Sequence, residues 1–130
     1  MSDFSSALSL SSSGLRAQAE RLRYISENIA NADTPGYRRK SVSFETVAAA
    51  ADDKAMVRAG PVKLDQSELT KIHDPAHPLS DESGQYEGSN VHLVVEMADA
   101  REAQRSYEAN LKMFDQTRQM SSSLMELLRR

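Results

Sequence analysis

The stretch Asn28-Ile29-Ala30-Asn31-Ala32-Asp33-Thr34-Pro35-Gly36-Tyr37 ends one kind of structure and begins another. Thr34 precedes a proline, which keeps it out of the α region, and Pro35-Gly36 suits the central pair of a type II turn. The residues before the stretch carry an apolar side chain at every seventh position, which predicts an amphipathic helix from about residue 4 to residue 31. These heptad residues are Leu8, Leu15, Leu22 and Ile29.

The middle of the chain, roughly residues 41–90, is acidic and rich in turn residues. Residues 41–92 hold nine acidic and four basic side chains. Alternation of polar and apolar residues over 41–47 predicts a strand. Further short strands are predicted near Val57, at 62–64 and at 69–72, with irregular loops between them. The fold of residues 48–69 stays open at this stage.

The last third of the chain predicts a second helix, from about Val91 to Leu128, capped by Ser89-Asn90. Such a helix is about 55 Å long. Steps of three and four pick out a coiled-coil-like seam along it. The seam positions are Leu93, Met97, Ala100, Gln104, Tyr107, Leu111, Phe114, Arg118, Ser121, Met125 and Leu128. A single helix of this length must pack on the first helix, on other subunits, or on both.

Composition limits what the folded chain can be. Only 5% of the residues are aromatic, tryptophan is absent and the mean hydropathy is −0.57, so we expect a small core and a marginally stable monomer. The chain has no cysteine, which excludes disulfides, thiolate nucleophiles and cysteine-held metals. The net charge of −3 argues against nucleic-acid binding. The amino terminus lacks the features of a secretory signal, and no apolar run approaches the roughly 20 residues that span a bilayer.

No pattern in the chain predicts catalysis, a cofactor or a small-molecule substrate. His73, His77 and His92 form the only arrangement that resembles a metal site, but Pro75 and Pro78 prevent the helix that would bring the histidines together. Neither a Gly-x-Ser-x-Gly elbow nor a phosphate-binding glycine loop is present. We therefore predict no bound metal and no enzymatic activity.

The run Arg38-Arg39-Lys40 is the densest cluster of positive charge in the chain. It has two interpretations that the sequence leaves open. The run could bind an acidic surface, which the acidic middle of another copy would supply, or it could be solvated charge after a helix. Three residues without a wider basic face are too few for a nucleic-acid site.

The quoted stretch resembles the amino-terminal signature of bacterial flagellar rod, hook and hook-associated axial proteins. Within that family, Tyr37-Arg38-Arg39-Lys40 resembles the C-type subunit of the proximal rod. Three further stretches agree with that subunit. They are Asp74-Pro75-Ala76-His77-Pro78, Asn90-Val91 with Glu96-Met97, and Ala103-Gln104-Arg105-Ser106-Tyr107-Glu108-Ala109-Asn110. Residues 48–69 match the family pattern poorly.

The resemblance implies a mainly α fold in which the terminal helices form an antiparallel coiled-coil-like pair in a tube wall. Residues 1–34 and 90–130 would form the helical core, and residues 35–89 a small β-containing, irregular insertion outside it. The implied function is structural: a subunit of the proximal rod of the flagellar basal body, assembled helically to transmit motor torque. Its implied place is the periplasmic part of the rod, reached from the cytoplasm through the flagellar type III export apparatus without a cleaved signal.

The implied partners are copies of the chain, other rod proteins, and the membrane-embedded ring and export gate at the rod base. The expected subunit interface combines the helix stripes with the basic run. Its residues are Leu8, Leu15, Leu22, Ile29, Arg38, Arg39, Lys40, Met97, Tyr107, Leu111, Phe114, Met125 and Leu128. A B-type rod subunit is the nearest alternative. An amphipathic helical module of the membrane-surface or chaperone-like kind comes next, and a metal-dependent enzyme last.

Overall fold

Two long helices from the ends of the chain pack together in the computed structural model, which describes residues 2–48 and 55–129. Helix α1 is Ser2–Ala30 and helix α2 is Leu93–Arg129. Contacts between them pair Asn28 with Glu96, Arg21 with Glu102, and Gly14 with Asn110. Because the numbers fall along α1 as they rise along α2, the helices are antiparallel. The predicted packing of two terminal helices is therefore confirmed.

Within the described part of the middle segment, six short strands form three separate antiparallel pairs. Strand β1 (Lys40–Ser41) pairs with β4 (Lys63–Leu64), and β2 (Phe44–Ala48) pairs with β3 (Ala55–Ala59). The third pair joins β5 (Lys71–His73) to β6 (Gln85–Glu87). Residues 49–54, which the sequence left undecided, lie outside the described residues. The strand predicted over 41–47 is divided, because its two halves pair with different partners.

The predicted cap of α2 is wrong. The helix begins at Leu93, and the Glu96 N–H donates to the carbonyl of His92 at 3.0 Å. Asn90 is buried and uses its side chain on other segments, while Ser89 Oγ accepts a hydrogen bond from the Val91 N–H at 3.3 Å. Both residues therefore tie the start of α2 to the middle of the chain.

The seam between the helices differs from the predicted one. Within the described residues, the only buried apolar side chains are Ala17, Ile25 and Ala103. A Cβ on Gly14 would come within 3.2 Å of Asn110 Nδ2. The buried apolar core of the described residues is therefore one isoleucine and two alanines, and the predicted seam is only partly buried. Its positions Leu93, Met97, Leu111, Met125 and Leu128 are exposed in the single chain.

Candidate functional site

The end of α1 is closed by the turn that the sequence predicted. Asn31 Nδ2 donates to the carbonyl of Glu27 at 2.8 Å and so caps the last turn of the helix. The Tyr37 N–H donates to the carbonyl of Thr34 at 3.2 Å across Pro35-Gly36, and Gly36 has a φ of 75°. This φ favours glycine and fits the third position of a type II turn. The Gly36 N–H also reaches the carbonyl of Gly88 at 3.0 Å, which fixes the turn to the chain before α2.

Asn28 lies at the centre of a polar junction between the helices and is fully buried. Its Oδ1 accepts from the Tyr37 hydroxyl at 2.8 Å and from the Lys40 N–H at 2.9 Å. Its Nδ2 donates to the Lys40 carbonyl at 2.8 Å and to Glu96 Oε2 at 3.3 Å. One amide side chain therefore joins α1, the segment after the turn, and α2. An apolar residue here would leave the buried partners unpaired.

Glu96 and Arg39 form an ion pair beside Asn28. The Glu96 side chain is fully buried, its Oε1 accepts from Arg39 Nε, and Arg39 Nη2 donates to Asp99 Oδ2 at 2.9 Å. Burial acts to lower the pKa of Arg39, but the hydrogen bond and the negative charge of Glu96 outweigh it and the net pKa is raised. Arg39 therefore stays charged, as the buried carboxylate requires.

Two further contacts fasten the middle segment to this junction. The Arg39 N–H donates to Asn90 Oδ1 at 2.7 Å, and Asn90 Nδ2 donates to the Asp65 carbonyl at 2.9 Å. Arg38 Nη1 donates to the same carbonyl at 3.0 Å, and Lys40 Nζ contacts Glu27 Oε2 at 3.1 Å. All three cations of the basic run thus have partners within the chain. Their predicted role toward a neighbouring subunit stays a prediction.

Burial of the Tyr37 hydroxyl beside Asn28 changes its acidity. Desolvation raises the pKa of Tyr37, the charge of Lys40 opposes that shift, and the carboxylates of Glu27 and Glu96 add to it. The neutral phenol is the form that donates to Asn28. The raised pKa therefore favours the protonation state on which the hydrogen bond to Asn28 depends.

The predicted interface residues fall into three groups. The helix residues that are half-buried within the chain are Leu8, Leu15, Leu22, Tyr107 and Phe114. The exposed ones are Ile29, Met97, Leu111, Met125 and Leu128. The basic residues Arg38, Arg39 and Lys40 are half-buried at the junction. The exposed set is available to other chains, and whether they cover it stays a prediction.

The sequence did not predict how the members of the junction contact one another. Glu96 belongs to a stretch that carried the resemblance but received no role, Asn90 was predicted only as part of a helix cap, and Asp99 received no role. Their partners lie 51 to 68 positions away along the chain. One signal in the sequence could have indicated the role of Glu96. It is a charged residue within an otherwise apolar run, between Val95 and Met97.

The histidines have structural contacts. His77 stacks on Tyr86 with ring centroids 3.9 Å apart, and its Nδ1 accepts from the Leu79 N–H at 3.1 Å. Across residues 2–48 and 55–129, no three acidic or histidine side chains are grouped as metal ligands. Neither helix in that part of the chain has a stretch apolar enough to cross a membrane.

Two family models match the chain, one over most of α1 and the turn that follows it and the other over most of α2 and the segment before it. A model described as Flagella basal body rod protein matches residues 6–38, and one described as Flagellar basal body rod FlgEFG protein C-terminal matches residues 82–127. The flagellar basal-body rod protein FlgC of Agrobacterium fabrum is 40% identical over 136 aligned positions, which cover 99% of this chain and 98% of the relative. The chain belongs to the flagellar basal-body rod protein FlgC family.

More distant relatives give the same result. FlgC of Borreliella burgdorferi is 34% identical over 95% of this chain and 96% of the relative. FlgC of Salmonella typhimurium is 32% identical over 91% of this chain and 92% of the relative. The family is structural and non-enzymatic, and its members belong to the flagellar basal body, where they assemble with other rod proteins. The hydrogen bond between Asn28 and Glu96 joins the two matched segments, and Arg39 and Lys40 lie just after the first of them.

Proposed function

We propose that this chain is a subunit of the proximal rod, which lies in the periplasm, and that it assembles helically with copies of itself and other axial proteins to transmit motor torque. The observation that carries the proposal is the exposure of large apolar side chains along both helices beside a very small core. Val94 is 81% exposed and Leu128 is 73% exposed. Large apolar side chains exposed in such number are typical of interaction surfaces.

The polar junction suits a part that carries a mechanical load. It fixes the angle between the helix pair and the strand-containing middle by hydrogen bonds and an ion pair from three segments. Buried polar contacts of this sort accept only one register, because a shift by a turn would leave them unpaired. Torque that acts on the helices would therefore be transmitted to the middle segment, because the helix pair and the middle segment could not slide past each other. The coiled-coil-like character of the assembled helix pair is part of the same proposal.

The further partners and the route to the rod are proposed as the family resemblance implies them. The partners are the membrane-embedded ring and the export gate at the rod base. The route is the flagellar type III export apparatus, taken without a cleaved signal. We also propose that the chain divides into a helical core, residues 1–34 and 90–130, and an insertion, residues 35–89. The positions of the strands support this division, because they lie between residues 40 and 87.

Deletion and complementation test the function directly. In the source bacterium, removal of the gene is expected to abolish complete basal bodies and swimming, and the intact gene is expected to restore both. Met125→Asp should fail to restore them, because it places a charge on the exposed apolar surface without touching the helix contact. Ser122→Asp, at an exposed position on the same helix, is the matched control. Complete basal bodies in the deletion strain would contradict the proposal.

A further inference from the structure

Helix α2 carries four of the six methionines of the chain, and two of them lie in one exposed stripe. Met113 is 59% exposed and Met120 is 62% exposed. Leu124 and Leu127, which are also exposed, follow at steps of four and three residues. All four side chains therefore project from α2 within about 60° of one another. We call these four residues the methionine stripe.

Part of the methionine stripe borders a groove of about 600 Å³. The groove lies where the start of α1 meets the end of α2, and Phe4 lines it from α1. Met120, Leu124 and Leu127 line it from α2, and the other lining residues are uncharged polar side chains. Met120 therefore shares an apolar groove with the first turn of α1.

The sulfur atoms of the methionine stripe are the most accessible ones that the structure describes. The chain has no cysteine, so methionine is its only sulfur-containing residue. Met120 and Met113 have the largest exposed fractions among the methionines of the described residues, whereas Met56 is 38% exposed and lies beside α1. Thioethers react with peroxides, and access to the sulfur favours the reaction. Met120 and Met113 are therefore the positions at which an oxidant meets the chain first.

We propose that Met113 and Met120 form an oxidation site for hydroperoxides, and that oxidation there loosens this end of the helix pair. The sulfur lone pair attacks one oxygen of hydrogen peroxide, and the O–O bond breaks as an S–O bond forms. The thioether is oxidised by two electrons to a sulfoxide, and the peroxide is reduced. The proton on the transferred oxygen passes to the departing hydroxide, which leaves as water.

The sulfoxide changes how the methionine stripe packs. It is polar, whereas the thioether that it replaces is flexible and apolar. A polar group at Met120 is poorly suited to the groove that it shares with Phe4, so the contact between the first turn of α1 and the end of α2 weakens. Methionine sulfoxide reductases reverse the oxidation. The site therefore acts as a reversible switch.

Peptide mapping of the full-length chain tests the site. The purified protein is treated with hydrogen peroxide for increasing times, and mass spectrometry measures the sulfoxide at each methionine. In the folded chain, Met120 and Met113 are expected to oxidise about twice as fast as Met56. In concentrated urea the three rates should become equal, because unfolding removes the difference in exposure. Equal rates in the folded chain would overturn the proposal.

Thermal unfolding followed by circular dichroism tests the structural consequence. Peroxide treatment of the unsubstituted chain is expected to lower the unfolding midpoint, and an unchanged midpoint would overturn the proposal. Met113→Leu combined with Met120→Leu keeps apolar side chains of similar volume and should lose most of the shift. The matched control is Met97→Leu combined with Met125→Leu, which removes two other exposed methionines of α2 and should keep the shift. Equal shifts in the two double variants would overturn the role of the stripe.

An effect of the oxidation on assembly rests on the proposed function, because the methionine stripe belongs to the apolar surface that neighbouring subunits would cover. Glutamine at Met113 and Met120 imitates the polar sulfoxide. In the deletion strain, the double glutamine variant is expected to restore swimming poorly, and the double leucine variant fully. Full swimming with the glutamine variant would overturn the effect on assembly, while the rod role stands. Absence of the unsubstituted chain from isolated basal bodies would instead contradict the rod role itself, and peptide mapping would still decide the oxidation site.

Discussion

Asn28 is the residue on which the polar junction depends most. Its amide makes four hydrogen bonds, which join α1 to the segment after the turn and to α2, and no other side chain type offers two donors and an acceptor at this length. Asn28→Ala should lower the free energy of unfolding by about 3 kcal/mol, because buried partners are left unpaired. Chemical denaturation measures this. Ser26→Ala, at an exposed site on the same helix, is the control, and equal unfolding midpoints for the two variants would contradict the role of Asn28.

Tyr37 makes the junction sensitive to alkaline pH. Its pKa is raised in the folded chain, first by burial, above the value of about 10 for a free phenol. The folded state therefore holds the proton more tightly than the unfolded state. The resulting stabilisation is fully present below pH about 10 and is lost as the pH rises through the folded pKa.

A phenolate absorbance titration checks this behaviour. In the folded protein, one component is expected to titrate above the ordinary tyrosine range, and Tyr37→Phe should remove it. Tyr86→Phe is the control, because that ring stacks on His77 away from the junction. A late component that survives Tyr37→Phe would show that the shifted phenol is another tyrosine.

At the scale of elements, the sequence predicted those helices, turns and strands that depend on residues close together in the chain. The helices, the turn at Pro35-Gly36 and most of the short strands follow from periodicity, proline and glycine. The register of α1 against α2 does not, because the hydrophobic pattern marks every apolar stripe and cannot tell which one faces the partner helix. Gly14 lies against Asn110 and Ala103 is fully buried, while several large apolar residues of α2, such as Met97, are exposed.

The contacts of the polar junction could not be predicted from the sequence, because they join residues that are far apart in the chain. Arg39 and Glu96 are 57 positions apart, and nothing local to either indicates the other. In the sequence, the basic run Arg38-Arg39-Lys40 resembles solvated surface charge. Its partners come close to it only when the middle segment and α2 have folded. The division of the predicted strand over 41–47 has the same origin, since pairing with β3 and β4 decides where each half ends.

Close packing of the two helices at Gly14 gives a prediction at this scale. Gly14→Leu should destabilise the helix pair by about 2 kcal/mol, because the space beyond Gly14 is filled by Asn110. Thermal unfolding followed by circular dichroism measures the loss, and Gly14→Leu combined with Asn110→Ala should recover part of it. Ser5→Leu, at an exposed site on α1, is the control. A Gly14→Leu variant as stable as the control would contradict the close contact.

At the scale of the whole molecule, the chain leaves much apolar surface that other subunits would bury. Its buried apolar residues are few within the described part, while exposed methionines, leucines and valines follow α2, and Leu10 and Ile29 are exposed on α1. Burial of such residues contributes about 1.5–3 kcal/mol each. Assembly therefore supplies stabilisation that the single chain lacks, and the folded population should rise with the concentration of partner subunits.

Cysteine labelling of the exposed apolar surface tests this account most directly. Variants with Met97→Cys or Leu111→Cys are treated with a maleimide as free protein, as intact basal bodies, and as basal bodies that have been dissociated. The account predicts fast labelling of the free chain, protection in the intact rod, and recovery of labelling after dissociation. Labelling of the intact rod at the rate of the free chain would contradict it.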